Sequence, residues 1–352
     1  MSADRPDNYP RNCWFVAATS SEVVTAPLGR RLLGEDVVLW RSAGGRLIAF
    51  ENRCAHRAFP LSHSVIDGEH LICGYHGCTY DSDGACTHIP SQERVPSGMR
   101  VRTFPILEDP PFVWIWMGSP GAAALSSPPH VPWIREPGWT SFYSAWDVAA
   151  NYLMVHEHYL DFSYATILHG ADIPEAIRSM PAFSEVEVSE TTVSYTRVLP
   201  PARPTDWEAD AGGLDRTVEY RRQEMGTFAS PALHLHQWDL ETPAAEVLTT
   251  TRLHALTPES ETSTHVFMAG SRNYAPGSAV VTEVLRSFLD GVAGRDVAVL
   301  EAVSAHSGYQ RWQTGAEFQA DVAALHARRI VRVMLSNEAG PARIRGRRAG
   351  KD

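Results

Sequence analysis

An α+β fold in two parts is predicted by three features of the sequence. Residues 1 to about 118 break into short β-prone runs separated by Gly, Pro and Asp turns, the pattern of a small antiparallel domain. Residues 134–352 carry longer strand-like runs and two long amphipathic stretches, the pattern of an antiparallel sheet flanked by helices. Between them, 119–133 is rich in small residues and proline and reads as a linker. A chain of 352 residues is long enough for both parts and a sizeable core, and no internal repeat is found.

Taken in order, the first part offers the strands DVVLWR, RLIAFEN, HLICGYH, RVRTFPILED and FVWIWMG. In the second part, AANYLMVHEHYLDFS suits a helix, although its apolar positions are not one-sided. Strand-like runs come next at FSEVEVSETTVSYTRVL, EVLTTTRLHALT and TSTHVFMAGSRNY. VVTEVLRSFLDGVAGRDVAVLEAV is helical, with Val281, Val284, Leu285, Phe288, Leu289 and Val292 on one stripe. EFQADVAALHARRIVRVMLSNEAG forms a second amphipathic helix ending at Gly340. His234 and His236 alternate like residues on one strand face, either lining a pocket or packing.

Composition narrows the function. The chain is 44% hydrophobic and 20% charged, which is globular rather than disordered. A net charge of −10 argues against nucleic acid as a partner, and the basic RIRGRRAGK near the C-terminus reads as a solvated tail. No apolar run approaches the roughly 20 residues a membrane span needs, and the N-terminus has no apolar secretory core. The five cysteines are an odd number, and two of them sit beside histidines. That favours metal ligation in a reducing compartment over disulfides, and a soluble cytoplasmic protein is expected.

The chemistry begins at Cys54-x-His56, joined through sixteen intervening residues to Cys73-x2-His76. Structural zinc with two Cys and two His pairs like with like, whereas here each loop supplies one of each. Two thiolates on one iron and two imidazoles on the other make an asymmetric [2Fe–2S] centre. The neutral imidazoles lessen its negative charge and raise its potential. The context CxHR…CxYHG resembles the Rieske signature, and YDSDGACTHIP resembles the segment after that signature in Rieske oxygenases. Cys78 departs from the tryptophan common after YHG, and Cys13, Cys78 and Cys86 are most simply free thiols.

Such a cluster needs only the first part of the chain, and the rest must do something else. Non-heme iron oxygenases bind Fe(II) with two histidines and one carboxylate, leaving positions open for O₂. Over almost its full length the chain resembles the α subunits of Rieske oxygenases, in the group of vanillate O-demethylase, dicamba monooxygenase and phthalate dioxygenase. NCWFVAATSSEV, the cluster loops and LHALTPESETSTHVFMAGSRN carry that likeness. The resemblance implies a terminal oxygenase that hydroxylates or demethylates a small, aromatic organic substrate with O₂. It also implies a homotrimer, in which Asp161 joins His76 of one subunit to the iron site of its neighbour. A separate NAD(P)H-dependent reductase or ferredoxin would supply electrons, because the chain has no Gly-rich dinucleotide fingerprint. Pocket walls are expected from 165 to 260.

The family's helix motif, read onto this chain, falls on Asn151, Glu157, Asp161, Tyr164 and His169, with His158 where the group often has asparagine. The resemblance points to Asp296 as the carboxylate ligand. Its spacing agrees, since Asp296 lies four residues after Val292 and four before Leu300, on the buried stripe. His169 is one histidine ligand, but Tyr164 stands where the other belongs. Three answers are open: a phenolate ligand at Tyr164, a replacement by Glu157 or His158, or a weakened iron site. On a regular helix Glu157, Asp161 and Tyr164 share a face, which favours Glu157 by geometry and His158 by chemistry. The alternative function is a non-catalytic Rieske electron carrier or binding homologue with a decayed iron pocket.

Overall fold

A computed structural model describes residues 9–175, 178 and 185–339. Gly340 and the basic tail therefore lie outside the described residues. The first part is built from β1 (Trp14–Thr19), β2 (Leu28–Leu32), β3 (Glu35–Arg41), β4 (Leu47–Glu51), β5 (Val65–Asp67), β6 (His70–Ile72), β7 (Thr79–Tyr80), β8 (Cys86–His88), β9 (Ile106–Asp109) and β10 (Phe112–Trp116). They form three antiparallel sheets, ordered β1-β10-β9, β2-β3-β4 and β5-β6-β7-β8. HLICGYH is strand only to Ile72, because Cys73 opens a loop. RVRTFPILED is strand only from Ile106, after Pro105.

The segment predicted as a linker is docked. It carries the short helix α1 (Pro120–Ala123), buries Ala123, and accepts a hydrogen bond from Trp14 Nε1 at Ser126 O. The second part opens with β11 (Thr140–Val148), α2 (Tyr152–Leu160), α3 (Ala165–Leu168), β12 (Glu185–Val188), β13 (Val193–Ala202) and α4 (Asp206–Gly212). It continues with β14 (Tyr220–Ser230), β15 (Leu233–Glu241), β16 (Val247–Ser260), β17 (Ser263–Arg272), α5 (Ala279–Trp312) and α6 (Val322–Ala339). One seven-stranded antiparallel sheet, ordered β11-β17-β16-β15-β14-β13-β12, holds them together. The α+β architecture is as the sequence predicts. None of the described helices is long and apolar enough to cross a membrane.

Helix α2 is buried along its whole length, which explains why its apolar positions are not one-sided. Asn151 caps it, accepting a hydrogen bond from Leu153 N at 2.9 Å. Glu157 fastens it to α6, accepting from Arg328 Nε at 2.8 Å and Nη2 at 2.6 Å. Trp312 Nε1 donates to the same carboxylate at 2.5 Å. Helix α5 buries Leu285, Leu289, Val292, Asp296 and Leu300 along one stripe and breaks from helical geometry at Gly308, φ 64°. The two parts share packing: Trp14, Trp114 and Trp116 join Leu233, Leu253 and Phe267 in one apolar cluster. Thr257 Oγ1 also donates to Val16 O at 2.7 Å.

Gly226 is a close-approach glycine on β14. It pairs with Tyr195 and His236, and a Cβ there would lie 2.3 Å from the Tyr195 ring. Tyr195 is buried and cannot swing away. Gly226→Ala should cost about 1–3 kcal/mol of stability in thermal or denaturant unfolding. An unchanged midpoint would mean that the ring is free to move.

Candidate active site: a cluster-binding pair of loops and a buried His–His–Asp group

The two cysteine loops repeat one turn. Cys54 N donates to Phe59 O at 2.8 Å and Ala58 N to Cys54 O at 3.0 Å. In the second loop Cys73 N donates to Cys78 O at 2.9 Å and Gly77 N to Cys73 O at 3.0 Å. Both turns use a positive φ, 55° at Ala58 and 71° at Gly77. Strain at a non-glycine residue such as Ala58 persists where the surroundings enforce it. The result is directional: Cys54 and Cys73 are buried, while His56 and His76 are exposed with ring centroids 4.6 Å apart. The Tyr80 hydroxyl accepts from Ala55 N at 3.1 Å and so directs its own hydrogen toward Cys54 Sγ, also 3.1 Å away. Two inner sulfurs and two outer imidazoles suit a mixed-ligand cluster. Cys13, Cys78 and Cys86 form no disulfide.

The second centre is assembled around Asp296, which is fully buried on α5. His169 Nε2 lies 2.7 Å from Asp296 Oδ1, and His158 Nε2 lies 3.1 Å from the same oxygen. The His169 contact is a hydrogen bond. The His158 contact lacks hydrogen-bond alignment and leaves that nitrogen, like Asp296 Oδ2, without a partner. Burial alone would push the Asp296 carboxyl up, but the two histidines and Arg252 outweigh it and hold it below the carboxylate range. Arg295 Nε donates to His169 Nδ1 at 3.1 Å and is itself paired with Asp172. An arginine can only donate, so the proton of a neutral His169 sits on Nε2, and metal ligation there requires that proton to leave.

The donor set fits a divalent iron. Two imidazole nitrogens and one carboxylate converge, and two of their buried polar atoms lack partners. In their present spacing no three described His, Cys, Asp or Glu side chains are arranged for a single ion. There are two reasons: a [2Fe–2S] cluster takes two protein ligands per iron, and at Asp296 the rings lean on the carboxylate itself.

The helical face predicted for Glu157, Asp161 and Tyr164 does not exist. Helix α2 ends at Leu160, and Asp161 has extended backbone at φ −108°, ψ 107°. Glu157, inside α2, pairs with Arg328 of α6 rather than with His169 or Asp296. His158, in the last turn of α2, meets them instead. Tyr164 heads α3 and lays its ring flat on His158, centroids 3.9 Å apart. It meets His169 edge-on. Burial first, and then the charge of Asp296, push its phenol well above the ordinary range, which disfavours a phenolate ligand. Asp161 is half-buried and accepts only from Ser163, N at 2.8 Å and Oγ at 3.1 Å, among the described residues.

A pocket opens beside this centre, walled by Phe162, Tyr164, Trp207, Trp238 and Phe288 and by polar side chains of β13–β16. It draws most of its wall from residues 162–252 and the rest from Tyr274 and α5. The sequence reading missed its arginines, Arg197, Arg222 and Arg252, although Arg197 and Arg252 alternate with apolar or small neighbours on their strands; Arg222, between Arg221 and Gln223, carries no such signal. His234 and His236 pack rather than line it. Both are buried, with His236 against Phe162 at 4.3 Å and Trp238 at 4.0 Å.

Comparison with known proteins identifies both parts of the chain. Residues 13–105 match the Rieske [2Fe-2S] domain, and residues 148–337 match the vanillate O-demethylase oxygenase C-terminal domain. The chain therefore belongs to the Rieske oxygenases with a vanillate O-demethylase-type C-terminal domain, a family of terminal oxygenase components that carry a [2Fe–2S] cluster and a mononuclear iron. It is 29% identical to the vanillate O-demethylase oxygenase subunit of Pseudomonas sp. (strain HR199 / DSM 7063), over 83% of this chain and 85% of that one. It is 30% identical to the toluene-4-sulfonate monooxygenase system iron-sulfur subunit TsaM1 of Comamonas testosteroni, over 84% and 88%. The crystal structure of dicamba monooxygenase bound to 3,6-dichlorosalicylic acid superposes with a TM-score of 0.86 at 27% identity, over 95% of this chain and 99% of that one.

The buried histidines make stability pH-dependent. Burial is the main cause, and neighbouring positive charge adds to it, in holding His234, His236 and His254 well below the ordinary histidine range. Below about pH 6.5 the unfolded chain takes up protons that the folded chain refuses, so stability falls as pH drops. Each histidine contributes up to about 1.4 kcal/mol per pH unit. His156 is likewise held down by burial, to about 4, so His254→Phe, which keeps the ring stacked on Tyr159, should reduce the slope of Tm against pH by roughly a quarter, one of four groups. An unaltered slope would show that these rings do not set it.

Proposed function

We propose that His158, His169 and Asp296 hold the mononuclear iron, the imidazole absent at 164 being supplied from 158. The observation that carries this is the approach of both Nε2 atoms to one Asp296 oxygen. When bound, the cluster at Cys54, His56, Cys73 and His76 supplies electrons and the iron activates O₂. The chain's own residues position the substrate and exclude water. Tyr164 closes the wall over His158, and the stack of Trp207 on Phe288 at 3.9 Å lines the far side. Flat aromatic surfaces of this kind suit a small aromatic substrate, hydroxylated or demethylated as the relatives' names describe for them.

The domain reading is 1–118 for the cluster, 134–352 for catalysis and 119–133 joining them. Electrons come from NAD(P)H through a separate reductase or ferredoxin, in the cytoplasm. Asp161 bonds only to Ser163 among the described residues, and His76 is exposed. A homotrimer, in which Asp161 receives His76 of the neighbouring subunit, uses both.

Iron content tests the ligand assignment. His158→Ala should fall from three irons per chain to two, with the cluster spectrum intact, whereas Tyr164→Phe should keep three. Glu157→Gln should keep its iron but lose about 3–5 kcal/mol of stability by breaking the buried pair with Arg328. Retention of all three irons in His158→Ala would refute the assignment.

The bridging role is tested separately. Asp161→Asn should leave the cluster reducible, yet slow its single-turnover reoxidation with substrate and O₂ by about tenfold or more, the scale of losing a charge-assisted hydrogen bond. An unchanged rate would refute it.

A further inference from the structure

A centre that activates O₂ for attack on an organic molecule is walled here by aromatic rings of the chain itself. Those rings differ in how they meet it. Tyr164 touches both imidazoles: it lies flat on His158, centroids 3.9 Å apart and planes 21° apart, and meets His169 edge-on at 5.7 Å. The same ring lines the pocket. Phe162 also lines it, but stands 6.0 Å from Tyr164 and packs on His236 at 4.3 Å. Trp207 and Phe288 are engaged with each other across the cavity.

Tyr159 also meets His158, at 5.5 Å, but from within the core. His254 lies flat on its ring at 4.0 Å, and the Arg252 guanidinium carbon is 5.4 Å from its centroid. That cation, whose Nε and Nη1 lack hydrogen-bond partners among the described residues, draws on the π electrons of the ring it covers. Tyr164 is therefore the phenol placed for reaction. A phenol hydroxyl activates the adjacent ring carbon toward electrophilic oxygen. A ring held against the reacting centre competes at an effective concentration far above that of any free reactant. Oxygenases suppress such side reactions by filling and closing the site with substrate.

We propose that Tyr164 is a site of self-modification: in the reduced enzyme without substrate, O₂ activated at the His158–His169–Asp296 centre hydroxylates its ring beside the phenol oxygen. The inference rests on reading those three residues as the iron site. The ring C–H becomes C–OH; one atom of O₂ enters the ring and the other leaves as water. Two electrons and two protons are consumed. The reduced cluster gives one electron, the ferrous iron gives the other, and solvent supplies the protons. The product is a catechol side chain, two adjacent oxygens lying beside His158, and it records turnovers in which no substrate was oxidised.

Peptide mass spectrometry of the holoenzyme tests this without an activity assay. Protein holding three irons per chain is reduced with dithionite, freed of reductant, and exposed to heavy-isotope O₂ without substrate. The peptide carrying Tyr164 should gain one labelled oxygen, with fragment masses placing it on that ring. The gain should exceed that at Tyr75, which is 61% exposed beside His76, by about tenfold or more, the scale of a proximity effect. His158→Ala should lose the modification with its iron, the cluster spectrum confirming folding. Three irons with Tyr164 unmodified overturns the inference, even if the variant misfolds. So does label that falls on Phe162 or Tyr159 instead, or equally on Tyr75, which marks a diffusing oxidant. Oxygen that still enters Tyr164 in iron-depleted His158→Ala overturns it too. Wild-type protein that cannot be loaded beyond two irons overturns the iron reading and this inference together. His158→Ala that keeps its iron refutes the ligand assignment alone, so the two failures are distinguishable.

Discussion

A carboxylate with no access to water governs the second half of this molecule. Asp296 sits on the apolar stripe of α5, where an unpaired charge would cost several kcal/mol. The fold meets that cost by bringing imidazoles from two other segments, His158 from the last turn of α2 and His169 from the end of α3. Arg295, on the same helix, steadies His169 from behind. Each of these contacts depends on α2, α3 and α5 meeting over the sheet. The glutamate next to His158 pins α2 to α6 through Arg328 and so holds His158 in place.

The tyrosine at 164 is intelligible in this frame. The chain leaves helical geometry at Asp161, so residues 158 and 164 are not on successive turns of one helix but on two helices that meet. Their rings stack, and the one nearer Asp296 is the imidazole. On the assignment proposed above, the donor absent at 164 comes from its stacking neighbour His158, with the aromatic volume of the site retained. Tyr164 then serves as wall, and its suppressed acidity keeps it neutral beside a carboxylate.

The sheet supplies the rest of the pocket by alternation. Alternate positions of β13–β16 carry Arg197, Glu224, Arg222, Thr250 and Arg252 among Tyr195, Leu199, Trp238 and Leu248, and several of them line the pocket. Ion pairing neutralises Arg197 with Glu224 and Arg222 with Glu208. Gly226 gives up its side chain so that the Tyr195 ring can lie across the strand. Polar groups in that number under cover are costly to stability and are retained where specificity requires them.

Read alone, the sequence determined what depends on neighbours in the chain. The Rieske domain was legible because Cys54-x-His56 and Cys73-x2-His76, the proposed cluster donors, each lie in one turn, where spacing is geometry. The α+β class and the α5 stripe were legible from periodicity, and with the stripe came the burial of Asp296. Tertiary structure decided what depends on residues far apart. Strands β11 and β14 were not read as strands, since their alternation mixes polar residues into the buried face. The end of α2 at Asp161 was missed, and so was its packing, in which Glu157 meets Arg328 of α6 and His158 meets Asp296 of α5. The unpaired state of Arg252's donors likewise comes from register: its neighbours across β15 and β14 are a histidine and a glycine, and neither carries the acid that would neutralise it.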